Sequence, residues 1–489
     1  MTPPCATLAP VTDVDPSTLA PGVADTPSLS SDELTRLTGG RLLARSNRPI
    51  RGAAVDSRVV RPGEVFVALP GERTDGHAFI GEAVARGAAA LLVTRPVPDP
   101  SALGDLTVVR VADALAALGA LAAGWRRRFH PLVVGVTGSI AKTSTKEAIA
   151  AVLGSRFRTL RSEGNQNNEI GLPLTLLRLG PEHEAAVLEM GMYVGGEIAD
   201  LARMAKPSIG VVTAVQPVHL ARIGSLRAIE AAKGELLEAL PPDGRAILNA
   251  DDPIVRRMGR RSAARSMTYG FAGDADVGAE AVESAGLAGM RFVLRTNVGR
   301  HAVSIPTLGR LSVHNALAGA AVGRVAGLSL EAIAAGLGSG WSAPHRVQLV
   351  RAGAVTLVDD TYNASPRSVV AALDLLTGLP GRHGAVLGEM LELGDASSEG
   401  HRVVGEAAAR TTDWLVVVGQ AAAGIAEGAL AAGMEPARVA LVADVDAALE
   451  HLPPRLRDGD VVLLKASRGI GLERVVEGLV PRAERRPGR

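Results

Sequence analysis

Cysteine is nearly absent from this sequence: of 489 residues, only Cys5 is one. No internal disulfide can form, so nothing in the chain asks for an oxidising compartment. Aromatic residues are almost as scarce, at 2%. Ala, Val and Leu must then fill the cores, and any Tyr or Trp in a loop stands out. An excess of charge is missing as well. The 52 Lys+Arg face 51 Asp+Glu, which removes the global electrostatic case for nucleic acid or an anionic membrane. Long apolar runs are also lacking. The most apolar stretch, Trp414 to Gly433, is broken by Gln420, Glu427 and several glycines, so no stable membrane insertion is expected. The N-terminus has no basic region followed by an apolar run and does not read as a secretory signal. These absences leave a cytoplasmic globular protein, with length for about three domains.

What is present is an αβ rhythm. Residues 1–27, rich in Pro, Thr, Ala and Asp without a period, read as a flexible leader. Residues 28–128 read as a first α/β domain. It opens with a helix near Ser31-Asp32-Glu33-Leu34, has strands Val65–Leu69 and Ala89–Val93, and closes at Arg126-Arg127-Arg128, which suggests a solvated boundary. Residues 129–344 carry continuous apolar strands at Leu132–Val136, Ala186–Leu188 and Ile209–Val212, the pattern of a parallel sheet covered on both faces. Residues 345–489 alternate strands (Val355–Val358, Ala385–Leu387, Leu415–Val418, Val439–Val442, Val461–Leu464) with Ala-rich helices. That argues for a Rossmann-like doubly wound sheet.

In the second domain, Val134 to Ser144 runs as a strand, a small-residue loop, and then Lys142-Thr143 opening a helix. This order suits a nucleoside triphosphate. The N–H groups of Gly138, Ser139, Ile140 and Ala141 and the helix start face phosphate oxygens, Lys142 neutralises charge, and Thr143, with Ser144 beside it, can hold Mg²⁺. The loop departs from GxxxxGK[ST] because Val136 and Ala141 occupy its two glycine positions. If the backbone at Ala141 needs φ > 0, its Cβ costs about 1 kcal/mol.

Further segments, taken with this loop, resemble the Mur ligase family over about Ala53 to Leu479, its dipeptide-adding branch most closely. The segments are Asp56-Ser57-Arg58 with Asp75-Gly76-His77; Asn165 to Leu177; Glu189; His219; Lys233; His314-Asn315; His345-Arg346; Asp359 to Pro366; Gly388 to Gly394 with His401; and Leu464 to Glu473. The resemblance implies a three-domain α/β architecture: an N-terminal UDP-sugar-binding domain, a central ATPase-like P-loop domain and a C-terminal Rossmann-like domain. It implies an ATP- and Mg²⁺-dependent ligase that activates a carboxylate as an acyl phosphate, with UDP-N-acetylmuramoyl-tripeptide and D-alanyl-D-alanine as substrates, acting as a monomer.

By the same resemblance Thr143 and Glu189 hold the Mg²⁺ carried by ATP. His219 and Lys233 serve a second Mg²⁺, the lysine as a carbamate. Asn315 and Asp360 face the nucleoside, and Arg346 reaches the phosphates. Ser57, Arg58, Asn167 and Asn168 contact the UDP substrate, while Tyr362, Asn363, Lys465 and Arg468 line the dipeptide side. Two rival readings stay open. One is a sister ligase adding a single amino acid. The other is a lapsed nucleotide- or UDP-sugar-binding relative, for which Ala141 and Ala318 (an alanine where the family has a second Asn) speak.

Overall fold

The computed structural model describes residues 27–71, 74–97, 99–216 and 224–480. All but Pro27 of the expected leader, and His219, lie outside them. The chain forms two compact units, 1–112 and 113–489.

The first unit opens on a helix, Ser31–Thr38, set by a capping box: Ser30 Oγ accepts from the Glu33 N–H while Glu33 reaches back to the Ser30 N–H. The cap is Ser30, one residue before the Ser31 expected. Five strands come next: β1 (Arg41–Ala44), β2 (Ala53–Ala54), β3 (Val65–Val67), β4 (Ala90–Val93) and β5 (Thr107–Arg110). They lie in the order β1-β5-β4-β3-β2, parallel except for β1 against β5. β3 and β4 are buried along their whole length, as strands covered on both faces must be.

The second unit holds two sheets. The larger contains β6 (Leu132–Thr137), β7 (Thr159–Arg161), β8 (Ala185–Glu189), β9 (Ile209–Val212), β10 (Arg245–Asn249), β11 (Arg265–Gly270), β12 (Val277–Ser284), β13 (Met290–Thr296) and β14 (Gly299–Ile305). Their order is β14-β13-β12-β11-β10-β9-β6-β8-β7. The strands around β6 are parallel, as expected, but β12-β13-β14 run antiparallel and extend the sheet on one side. Gly135 on β6 is in register with Gly210 on β9. A Cβ at Gly135 would lie 2.8 Å from Leu236 Cδ1. The two glycines thus let the helix Leu226–Glu238, which carries Lys233, lie close against the sheet.

The smaller sheet contains β15 (Gln348–Ala352), β16 (Val355–Asp359), β17 (His383–Gly388), β18 (Trp414–Val418), β19 (Val439–Val442) and β20 (Val461–Lys465). The order is β15-β16-β20-β17-β18-β19, with only the β15–β16 hairpin antiparallel. Alternate strand residues feed two cores. Leu387 and Leu463 pack with the helices Pro366–Leu376, Ser397–Thr411 and Ala423–Ala431; Val386 and Leu464 pack with Val445–His451 and Glu473–Leu479. Helices on both faces make this the doubly wound arrangement expected.

The helix Ala114–Arg126 was expected to end the first domain. By packing it groups with the second compact unit, which begins at Asp113, and Trp125 Nε1 donates to Leu179 O at 3.0 Å. Arg126, expected to be solvated, is not. It is buried, donating from Nε to Ala205 O (2.9 Å) and from a terminal nitrogen to Phe129 O (2.7 Å), and burial lowers its pKa. A guanidinium buried this way stays charged because main-chain carbonyls replace its water. Among the described residues, no helix is long and apolar enough to cross a membrane.

Candidate active site

The loop after β6 sits where the neighbours of that strand, β8 and β9, depart on opposite sides, a place α/β sheets use for ligands. Its backbone is pinned by residues at the end of β9 and beyond. Ser139 N–H donates to Ala214 O (2.8 Å), Gln216 N–H donates to Ser139 Oγ (2.9 Å), and Thr213 Oγ1 donates to Ile140 O (2.6 Å). Gly138, with φ +154°, cannot be replaced there, since a Cβ would fall 1.9 Å from Thr213 Oγ1. Ala141 adopts φ +63°, the left-handed backbone foreseen for it, and then the helix Lys142–Gly154 begins. That helix is anchored by Lys146, fully buried, whose Nζ donates to Ser162 O (2.5 Å) and pairs with Glu147 (2.9 Å).

Around this loop the charges are left open. Lys142 Nζ donates to Gly138 O at 2.9 Å. Burial lowers its pKa, the charge of Glu189 pulls it up, and that of Arg346 pushes it down, so all three groups share one electrostatic neighbourhood. Glu189 ends β8 and is 2% exposed. Its Oε1 accepts from Asn167 Nδ2 at 2.8 Å, but its Oε2 is buried without a hydrogen-bond partner. An orphaned carboxylate oxygen in the electrostatic neighbourhood of Lys142, whose neighbour Thr143 is buried, fits a hard cation. Lys233 is buried too. Desolvation first, and then the charge of Lys142, holds its pKa well below the usual lysine value. A lowered pKa makes the neutral, nucleophilic amine, the form that carbamylation needs, more accessible.

The remaining predicted residues fall into two groups. Asn168 Oδ1 accepts from the N–H groups of Ile170 (3.3 Å) and Gly171 (2.9 Å), and thus starts the next helix. Asn167 holds Glu189. Both side chains expected to touch substrate therefore have internal tasks. Asn315 is buried and its Oδ1 accepts from Thr145 Oγ1 (3.1 Å), tying its helix to the phosphate-loop helix, while Ala318 lies in the core. A polar-aromatic cluster nearby joins His314, of the predicted His314-Asn315 segment, to the buried Tyr269 and to Phe271 and Arg310, two residues that the sequence did not single out. His314 packs against Tyr269 and Phe271, with ring centroids 5.0 and 5.8 Å apart, and the Arg310 guanidinium lies 4.2 Å from the Phe271 centroid. The scarcity of aromatics was the signal for Phe271.

In the smaller sheet, Asp360 follows β16 and Lys465 ends the adjacent β20. Lys465 Nζ donates to Asp360 Oδ2 (2.5 Å) and Asn363 O (2.8 Å) and is 3% exposed, so it braces the turn 360–363. Burial pushes the Asp360 pKa up against the pull of Lys465. Tyr362 is half-buried and Asn363 exposed. His401 donates from Nδ1 to Ser397 O (2.7 Å) and accepts the Met390 N–H at Nε2 (3.0 Å), a tautomer assigned by these partners. Ser467 Oγ accepts from Leu391 N–H (2.9 Å), stitching the Gly388–Gly394 loop to the one bearing Arg468.

In the first unit Ser57 is buried, donating to Glu82 Oε2 at 2.7 Å. Arg58 is 77% exposed and pairs with Asp56, whose carboxyl it holds down at about 2. Asp75 and His77 pin the turn after β4: His77 Nε2 accepts from Thr94 N–H at 3.1 Å.

Three family models match this chain: the Mur ligase family catalytic domain over residues 49–126, the Mur ligase middle domain over 136–323, and the Mur ligase glutamate ligase domain over 345–468. The chain belongs to the Mur ligase family. Curated members include the UDP-N-acetylmuramoyl-tripeptide–D-alanyl-D-alanine ligases of Bacillus subtilis (37% identical, spanning 88% of this chain and 93% of that one) and Mycobacterium tuberculosis (39%, spanning 87% and 91%). Among solved structures, MurF from Acinetobacter baumannii superposes with a TM-score of 0.85 at 31% identity, covering 93% of this chain and 99% of that one. MurF from Thermotoga maritima in complex with ADP gives 0.75 at 31%, covering 88% and 97%. The three-sheet α/β fold is thus a Mur ligase architecture.

Proposed function

We propose that this chain is an ATP-dependent ligase joining D-alanyl-D-alanine to UDP-N-acetylmuramoyl-tripeptide, a cytoplasmic step of peptidoglycan precursor synthesis. The observation that carries the reading is the phosphate loop bearing Lys142 beside a buried Glu189 with one oxygen open. Relatives and solved structures of that stated specificity, aligned over most of the chain, support the substrate pair.

The terminal carboxylate of the tripeptide attacks the γ-phosphorus of ATP, and ADP leaves. The dipeptide amine then attacks the acyl carbon, loses a proton and expels phosphate. Loop N–H groups and Lys142 orient the phosphates, and Arg346 meets charge building on the transferring group. One Mg²⁺ would be held by Thr143 and Glu189 and a second by His219 and a carbamylated Lys233, and both would supply neutralisation of phosphate charge. Asn167 keeps Glu189 turned toward that position.

The test is phosphate release from ATP and Mg²⁺ with UDP-N-acetylmuramoyl-tripeptide, with and without D-alanyl-D-alanine, and mass spectrometry of the product. Dipeptide-dependent release and a product heavier by the dipeptide, less water, are expected. Turnover with a single amino acid instead selects the sister ligase. UDP-substrate binding with no release at saturating ATP selects a lapsed relative and makes Ala141 the first residue to suspect.

A further inference from the structure

Two guanidiniums lie on the ring of Tyr362. Arg346 Cζ is 4.0 Å from the ring centroid and Arg468 Cζ is 5.0 Å from it. Arg346 comes from the segment entering β15 and Arg468 from the loop leaving β20, so one ring joins cations from two separate loops. The Nε of Arg346 is buried without a hydrogen-bond partner. The negative face of the ring therefore offsets part of the charge of a half-buried guanidinium whose Nε has no hydrogen-bond partner.

The main chain fixes the same residue. Arg346 stands between His345 (φ +61°) and Val347 (φ +50°), left-handed backbone on both sides, the second on a β-branched residue. Tyr362 N–H donates to His345 O at 3.0 Å, and His345 Nδ1 lies 2.8 Å from Asp359 Oδ2. The turn holding the ring thus also grips the backbone that bears the arginine.

We propose that Tyr362 is a positioning residue whose ring seats Arg346 and Arg468 together, so that the cation facing the phosphates and the cation on the dipeptide side are set as one unit. This rests on the ligase reading above. It adds a role for Tyr362 that acts through the two arginines rather than on substrate. Two like charges held on one ring repel, and two anionic ligands, a phosphate and a dipeptide carboxylate, each relieve that repulsion. Binding of one ligand then pre-sets the stack for the other.

The test is steady-state kinetics on the full chain. Tyr362→Phe, which keeps the π face, is expected within about twofold of wild type in kcat. Tyr362→Leu is expected to lose about tenfold in kcat and to raise the KM for D-alanyl-D-alanine severalfold, the scale of a dehydrated cation–π contact. The KM for the UDP-tripeptide should stay within about twofold, a split that general unfolding would not give. Tyr362→Met, with similar bulk and no π face, should match the leucine variant and serves if the latter folds poorly. The losses of Tyr362→Leu and Arg346→Ala should be strongly non-additive. Wild-type kcat and dipeptide KM in the leucine and methionine variants, equal damage in Tyr362→Phe, or additive losses would each overturn the assignment. A wild-type enzyme making no product would instead sink the ligase reading itself.

Discussion

The loop after β6 and the turn after β16 both close the carboxyl end of a parallel strand, and both bring acids and lysines together. They treat charge in opposite ways. After β6 the loop is held by neutral bonds with Thr213, Ala214 and Gln216, while among the described residues Lys142 donates to a carbonyl and Glu189 keeps an open oxygen. After β16 the charges consume one another: Asp360 with Lys465, Asp359 with His345 and Thr361. The first arrangement leaves charge open, and the second is a brace. A buried charge without an internal partner is thus the better guide to chemistry than a charged motif as such.

Substitutions can break this contrast. The largest effect should come from Lys142→Met, with kcat lowered about 10³-fold and thermal stability kept or raised, since a poorly partnered, half-buried cation is removed. An unstable protein would place Lys142 with the braces. Lys465→Met should act the other way round. It strands Asp360 in a buried position and should cost about 3 kcal/mol in urea unfolding. Most of this should return in Asp360→Leu/Lys465→Met, and a stable single variant would refute the brace.

A smaller effect concerns pH. The pKa of Lys233 is lower folded than unfolded, so between the folded value and about 10.5 the unfolded chain binds the extra proton. Stability from this group is therefore lowest below the folded pKa and rises with pH across that window. In CO₂-free buffer, unfolding free energy of the wild type should climb more steeply toward pH 10 than that of Lys233→Met, and parallel curves would contradict the buried neutral amine. The smallest change is Ala141→Gly. Release of the left-handed alanine should raise stability by up to about 1 kcal/mol and tighten ATP binding a fewfold by calorimetry. No gain would mean that the loop tolerates the methyl group without strain.

Much of the architecture was legible because strands buried on both faces are continuous apolar runs: Ile209–Val212 is buried throughout and has the bounds read from sequence, and the partly exposed edge strand Val439–Val442 keeps its bounds as well. The antiparallel strands β12–β14 were not, because one face is half-exposed and their residues mix charged and apolar types. Lys142, Glu189 and Lys233 were picked out through the family pattern, and the structure adds that their charges lie near one another and which carboxylate oxygen is open. The tasks of Asn167, Asn168 and Lys465 were hidden because amides and ammonium groups serve substrates and backbone equally well. Arg126 misled because a run of three arginines looks solvated, whereas only contact with Ala205 and Phe129 from distant and local turns decides burial.

The helix Ala114–Arg126 has a practical consequence for dissecting the molecule. A cut after residue 128, where the charge run invites one, would carry away a helix whose Trp125 and Arg126 satisfy the carbonyls of Leu179 and Ala205. The separated larger fragment would then present an apolar scar with open acceptors and be prone to aggregate. A cut between Ala112 and Asp113 keeps that helix with the carbonyls that its Trp125 and Arg126 satisfy.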